Sequence, residues 1–126
     1  MFTTGIDIIE IDRIEDAVIR WGRRFLQRIY TQKELDYCHG RIPSLAALFS
    51  GKEAVIKALG IGATGIGWIG ISWHEIEILP DNLGKPLVHL HDNALKRAQE
   101  LNLGELAISL SHSKEYAVAS VMGGTE

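Results

Sequence analysis

The chain has 126 residues, of which 46% are hydrophobic and 23% are charged, and its formal net charge is −3. This length fits one domain with a substantial core, residues 1–126, and the charge argues against nucleic acid or an anionic membrane as a partner. No apolar run approaches the roughly 18 residues of a membrane span, and Cys38, the single cysteine, cannot form an internal disulfide. We therefore expect a soluble cytoplasmic protein.

The chain opens with a pattern that predicts one strand and two short helices. Residues 2–11 alternate in the manner of a strand. Asp12, with Glu15 three positions later, is a capping-box signal that starts a helix. Gly22 interrupts this helix, and a second helical piece covers residues 23–29.

Two further helices are predicted from their start and stop signals. Thr31 and Glu34 form another capping-box signal, which opens a helix ending near residue 39. Residues 41–43 contain a proline and are predicted to interrupt the helical structure. Ser44 is then a favourable N-cap for a helix that runs to Leu59.

The second half of the chain predicts four strands and one helix after a glycine-rich loop. The strands are predicted at residues 72–79, 85–90, 106–111 and 116–122, and the helix at 92–102. Short turns between consecutive strands indicate antiparallel pairing. The expected fold class is therefore α+β, with an antiparallel sheet packed against helices.

Asp7 is unusual for its position, because aspartate is disfavoured in strands and this one stands between isoleucines. A carboxylate on an inward face must find a cation or a hydrogen-bond donor. The alternative is that Asp7 caps a turn or faces water. Its position alone leaves both interpretations open.

The predicted helix from Ser44 to Leu59 carries charge beside an apolar stripe. Lys52 falls inside the stripe, where its ammonium could reach water past a packed stem. Glu53 and Lys57 flank the stripe four residues apart, a spacing that by itself favours an exposed ion pair. Taken together with Asp7, Glu53 could instead supply two carboxylates to one Mg2+, with Lys57 facing a bound phosphate.

A glycine-rich segment follows that helix, with Gly60, Gly62 and Gly65 in the spacing of a dinucleotide fingerprint. That fingerprint needs a strand before it and a helix after it, and here a helix precedes it. We reject a dinucleotide-binding interpretation. A mobile loop and a loop that serves a ligand phosphate both stay open.

Three segments in this order resemble the holo-[acyl-carrier-protein] synthase family of small 4'-phosphopantetheinyl transferases. Residues 5–14, GIDIIEIDRI, are similar to the family's opening strand and helix, and residues 49–60, FSGKEAVIKALG, to its F-x-x-K-E-A-x-x-K-A signature. Residues 109–117, SLSHSKEYA, are similar to its S-x-S-H-x-x-x-Y-A segment. The matches span nearly the whole chain.

The resemblance implies transfer of 4'-phosphopantetheine from coenzyme A to a serine of an acyl carrier protein. It implies that Asp7 and Glu53 hold Mg2+ on the coenzyme A pyrophosphate and that Lys57 contacts phosphate. The serine proton would go to Glu53 or to a metal-bound water. Family members form trimers with active sites between subunits, so a homotrimer is expected.

The resemblance also implies which residues bind coenzyme A and the carrier. The residues expected along coenzyme A are Lys52, Pro86, His112 and Ser113. The residues expected to meet the acidic carrier are Arg13, Arg20 and Arg24. The carrier role agrees with a local basic segment on an acidic chain.

The chain departs from the family pattern within its signature helix. Leu48 stands where bacterial members usually have arginine, and Ser50 and Gly51 stand where they usually have alanines. These departures leave a second hypothesis, a non-catalytic relative that binds coenzyme A or a carrier protein. A mass measurement of the carrier after incubation discriminates the two hypotheses.

Overall fold

A computed structural model describes residues 1–61 and 70–125 of the chain. The strands are β1 (Phe2–Glu10), β2 (Ile76–Pro80), β3 (Pro86–Leu90), β4 (Leu103–His112) and β5 (Tyr116–Thr125). The helices are α1 (Ile11–Trp21), α2 (Arg23–Ile29), α3 (Gln32–Cys38), α4 (Ile42–Ala58) and α5 (Asp92–Glu100). The predicted α+β class is confirmed.

The strands form two antiparallel units around a central helix. The first is a sheet in the order β1-β5-β4, and the second is the hairpin of β2 and β3. Helix α4 packs on the sheet and is buried along most of its length. Leu45 and Ile56 on α4, and Leu59 directly after it, are almost fully buried, and each contributes about 2 kcal/mol of transfer free energy.

Strand β1 has opposite characters on its two faces, as the alternation in its sequence predicts. Ile6 and Ile8 point away from α4 and are exposed, whereas Gly5 and Asp7 point inward and are buried. The inward face is the one against which α4 packs. Asp7 is therefore enclosed between a strand and a helix, and the interpretation that it faces water is wrong.

Helix α4 begins earlier than its sequence signal predicts. It starts at Ile42 with Arg41 as N-cap, so the predicted break at Pro43 and the predicted N-cap at Ser44 are both wrong. Proline is accepted in a first helical turn because the N–H groups there have no partner within the helix.

Two other elements also begin at residues different from those predicted. Helix α1 begins at Ile11 after Glu10, without a capping side chain, so the signal at Asp12 is not used. The strand predicted to begin at residue 72 is first a 3-10 turn, Trp73–Glu75, and becomes extended at Ile76. The reason is that Ser72 and Glu75 form a capping box that stabilises the turn.

Candidate active site

Asp7 and Glu53 meet between β1 and α4, although they lie far apart in sequence. The inward alternation of β1 directs Asp7 at the helix, and Glu53 lies on the part of α4 that packs on this strand. The two carboxyl groups lie close enough together for a hydrogen bond that raises the Glu53 pKa. The predicted convergence of these two acids therefore holds within a single chain.

The environment of Glu53 raises its pKa to about 7. The largest cause of the raised pKa is the partial burial of the Glu53 carboxyl. The hydrogen bond to Asp7 and the negative charge of Asp7 follow. Lys57 and Arg13 act in the opposite direction, because their positive charges favour the ionised form. Glu53 therefore keeps its proton to a higher pH than an isolated glutamate does.

Lys57 lies on the open side of this pair. Its ammonium is 3.3 Å from Oδ1 of Asp7 and donates to the backbone oxygen of Ile6 at 2.9 Å. The side chain is 48% exposed, so it can reach a ligand. Glu53, Lys57 and Trp73 line a small cavity at this position.

The donor set fits magnesium. Asp7 and Glu53 offer hard carboxylate oxygens, and Mg2+ typically takes one or two carboxylates while keeping positions for water and phosphate. A divalent ion would offset the negative charge of the two carboxylates. Among the residues that the structure describes, no cluster of three or more His, Cys, Asp or Glu side chains could hold a metal.

Sequence reasoning missed the contact between Ser50 and Asp7. The Ser50 hydroxyl is fully buried and lies 2.9 Å from Oδ2 of Asp7 and 3.0 Å from its backbone oxygen. A signal for this contact was present, because Ser50, Glu53 and Lys57 follow the i, i+3, i+7 spacing of one helix face.

Lys52 is a core residue, and its geometry contradicts the exposed position that a coenzyme A contact requires. Its ammonium is completely buried, 2.8 Å from Oε1 of Glu34, and also donates to the backbone oxygens of Trp73 and Ile76. Burial lowers the Lys52 pKa, and the nearby Glu34 opposes that shift. The interpretation that its ammonium reaches water is wrong for the same reason.

Pro86 and His112 line a second cleft, of about 240 Å³, between the hairpin and α4. Leu48 and Gly84 are also part of its lining, which is mostly apolar. Ser113 lies in the adjoining turn, where its hydroxyl accepts from the backbone N–H groups of Glu115 and Tyr116. The predicted coenzyme A residues therefore divide between this cleft, its adjoining turn and the core.

The predicted carrier-binding arginines are exposed on the first two helices. Arg13 and Arg20 line one shallow surface cleft on α1 together with Asp16 and Trp21. Arg24 lies on α2, exposed and outside the lining of that cleft. Arg13 is close enough to Glu53 to lower its pKa, so one end of this basic surface borders the carboxylate pair.

The glycine-rich segment is described only at its first glycine. Gly60 has a positive φ of 73° and closes α4, as predicted from its position. Gly62 and Gly65 lie outside the described residues.

Comparison with known proteins assigns the family. Residues 3–121 match the model of the 4'-phosphopantetheinyl transferase superfamily. The chain belongs to this superfamily. It is 49% identical to the holo-[acyl-carrier-protein] synthase of Herpetosiphon aurantiacus, over 98% of each chain.

Further relatives of this chain are also holo-[acyl-carrier-protein] synthases. The holo-[acyl-carrier-protein] synthase of Dehalococcoides mccartyi is 49% identical over 97% of this chain and 98% of its own. The crystal structure of the Helicobacter pylori enzyme in complex with coenzyme A superposes with a TM-score of 0.85, at 34% identity, covering 96% of this chain and 99% of that one.

Proposed function

We propose that Asp7, Glu53 and Lys57 carry out the transfer of 4'-phosphopantetheine from coenzyme A to a serine of an apo acyl carrier protein. Transfer of this group is the activity of the superfamily, and the chain matches two holo-[acyl-carrier-protein] synthases over nearly its full length. The convergence of Asp7 and Glu53 beside Lys57 is the observation that supports these three residues.

Each of the three side chains has a chemical role in this proposal. Asp7 and Glu53 would hold Mg2+, and the bound ion would neutralise charge on the coenzyme A pyrophosphate. Lys57 contacts a phosphate oxygen and stabilises the charge that develops during transfer. Glu53 accepts the proton of the carrier serine as a general base.

The reaction exchanges one phosphoester bond for another. The serine oxygen forms a bond to the β-phosphorus of coenzyme A, and the bond from that phosphorus to the bridging oxygen of the nucleotide breaks. Adenosine 3',5'-bisphosphate leaves with the bridging oxygen.

We propose that the chain assembles as a homotrimer with sites shared between subunits. The outer face of β1 exposes Ile6 and Ile8, at 66% and 64%, and apolar faces of this kind mark interaction surfaces. Pro86 and His112 line a different cleft from Glu53 and Lys57. A neighbouring subunit could supply the cleft that completes the coenzyme A site.

The oligomeric state can be measured directly by light scattering on a size-exclusion column. A trimer mass for the wild type and a monomer mass for Ile6→Lys with Ile8→Lys would support the shared site. A monomeric wild type with full activity would refute it.

We also propose that the partner is an acidic carrier protein and that the location is the cytoplasm. The basic surface with Arg13 and Arg20, with Arg24 nearby in sequence, suits an acidic carrier protein of fatty-acid synthesis. The buried free thiol of Cys38 suits a reducing cytoplasm. In the described residues no helix is long and apolar enough to cross a membrane.

A mass measurement tests the transfer. Purified protein is incubated with coenzyme A, Mg2+ and apo acyl carrier protein, and the carrier is weighed. A gain equal to phosphopantetheine supports the enzyme. Binding without a change in mass would support the non-catalytic alternative.

Two variants test the assigned residues in the same assay. Glu53→Gln should lose most of the transfer while it keeps the fold, since the amide cannot accept the serine proton. Asp7→Ala should weaken the dependence on Mg2+, and an unchanged metal titration would remove Asp7 from the site.

A further inference from the structure

Ser50 approaches the carboxylate pair from the inside of the molecule. Its side chain is fully buried on α4, and its hydroxyl lies 2.9 Å from Oδ2 of Asp7. The hydroxyl also lies 3.0 Å from the backbone oxygen of Asp7. It has only one proton to donate, so the two oxygens of Asp7 compete for it. An ionised carboxylate is the stronger acceptor of the two, so the proton is directed mainly to Oδ2.

The two oxygens of Asp7 therefore have different surroundings. Oδ2 faces a buried hydroxyl, whereas Oδ1 faces the partly exposed ammonium of Lys57 at 3.3 Å. A hydrogen bond to one oxygen restricts rotation of the whole carboxylate about its last bond. The oxygen on the open side is then held in one direction.

We propose that Ser50 is a positioning residue, which fixes the Asp7 carboxylate so that Oδ1 is presented to the divalent ion. The inference rests on the proposed function, because it assigns Asp7 to the metal. It adds a residue that neither contacts the substrate nor binds the ion. Groups that orient metal ligands in this way typically change metal affinity by about 10- to 100-fold when removed.

Thr3 provides a matched control for a purely structural role. Its hydroxyl also joins β1 to α4, by a hydrogen bond of 2.6 Å to the backbone oxygen of Ala58. That bond pins the same strand to the same helix without touching Asp7. Ser50→Ala and Thr3→Val therefore each remove one hydroxyl between the same two elements, and only the first removes a donor to the carboxylate.

The test measures metal binding by the full chain in the presence of coenzyme A. Mn2+ replaces Mg2+, because it prefers the same oxygen ligands and its free form is measured by electron paramagnetic resonance. We expect Ser50→Ala to bind Mn2+ about tenfold more weakly than the wild type and Thr3→Val to stay within about twofold. In the transfer assay, Ser50→Ala should raise the KM for Mg2+ and leave kcat at saturating Mg2+ close to that of the wild type.

The outcomes separate this inference from the proposed function. If the wild type binds Mn2+ and Ser50→Ala binds it equally well, or no worse than Thr3→Val does, the positioning role is refuted and the metal site stands. If the wild type neither binds Mn2+ nor transfers, the metal site itself is refuted and Ser50 loses its role with it.

A second variant covers the case in which Ser50→Ala does not fold. Ser50→Cys keeps a weaker donor in the same place, so intermediate Mn2+ affinity supports the inference and wild-type affinity overturns it.

Discussion

Lys52 and Glu34 form an ion pair of 2.8 Å in which neither side chain is exposed to solvent. Glu34 also accepts the backbone N–H of Ile78 through its other oxygen, at 2.8 Å. Lys52 is the residue directly before Glu53. Helix α4 therefore directs the Lys52 side chain into the core and the Glu53 side chain towards Asp7. The buried ion pair fixes the part of α4 from which Glu53 projects.

The buried ion pair predicts a large loss of stability when one partner is removed. Lys52→Met leaves the Glu34 carboxylate buried without its cation, and we expect the free energy of unfolding to fall by about 3–5 kcal/mol. Urea unfolding monitored by circular dichroism measures this change. The control is Glu100→Gln, which removes the exposed pair with Arg97 at 3.4 Å and should cost about 0.5 kcal/mol or less.

A double variant checks the origin of that loss. If the cost comes from an uncompensated charge, Glu34→Gln should destabilise the Lys52→Met protein far less than it destabilises the wild type. Equal costs in both backgrounds would show that the two side chains contribute independently.

The close approach of β1 to α4 predicts that Gly5→Ala is poorly tolerated. A Cβ at Gly5 would lie 1.9 Å from the backbone oxygen of Ala54, so the strand must move away from the helix. We expect a loss of about 2 kcal/mol or more in urea unfolding and weaker Mn2+ binding, because Asp7 lies two residues further along the strand.

Gly124→Ala is the matched control for this substitution. A Cβ there would meet only the Phe2 ring at ordinary contact distance, 3.5 Å, and the strand should accept it. Equal stability of the Gly5→Ala and wild-type proteins would contradict the packing of β1 on α4.

The raised pKa of Glu53 predicts how Glu53→Gln changes stability with pH. In the unfolded chain Glu53 loses its proton near pH 4.5, and in the folded protein near pH 7. Between these values the folded wild type binds more protons than the unfolded chain, so its stability falls as pH rises through this window. The glutamine variant does not titrate, and it should gain stability relative to the wild type.

Thermal melts of both proteins in EDTA, at pH 5 and at pH 8, measure the difference. We expect the variant's advantage in melting temperature to be larger at pH 8, where Glu53 is ionised beside Asp7. An advantage that does not change with pH would contradict the raised pKa. Saturating Mg2+ should reduce the advantage, since the wild-type carboxylates would then share a cation.

The exposed arginines predict a charge-dependent interaction with the carrier. Arg20→Glu should raise the KM for the acyl carrier protein by roughly tenfold, with little change in the KM for coenzyme A, because an acidic partner would meet a like charge. Lys96→Glu makes the same charge change on α5, an exposed helix position outside the arginine cleft. Equal effects of the two variants would show that net charge, and not this surface, governs the affinity.

Local signals in the sequence predicted those elements whose causes are themselves local. The capping box of Thr31 and Glu34 forms as expected, and Gly22 ends α1 with a positive φ. The signals at Asp12 and Ser44 failed, because α1 and α4 begin earlier, after Glu10 and Arg41, and neither of these residues makes a side-chain capping bond.

By itself the sequence determined the α+β class, the alternation of β1 and the presence of two acids and a lysine suited to phosphate chemistry. Only the tertiary structure decided which charged residues meet. Sequence spacing joined Glu53 to Lys57, whereas the fold paired Lys57 with Asp7 and buried Lys52 against Glu34. The physical reason is that helix and strand periods fix where a side chain points, whereas the packing of α4 on β1 and its ion pair with α3 fix what that side chain faces.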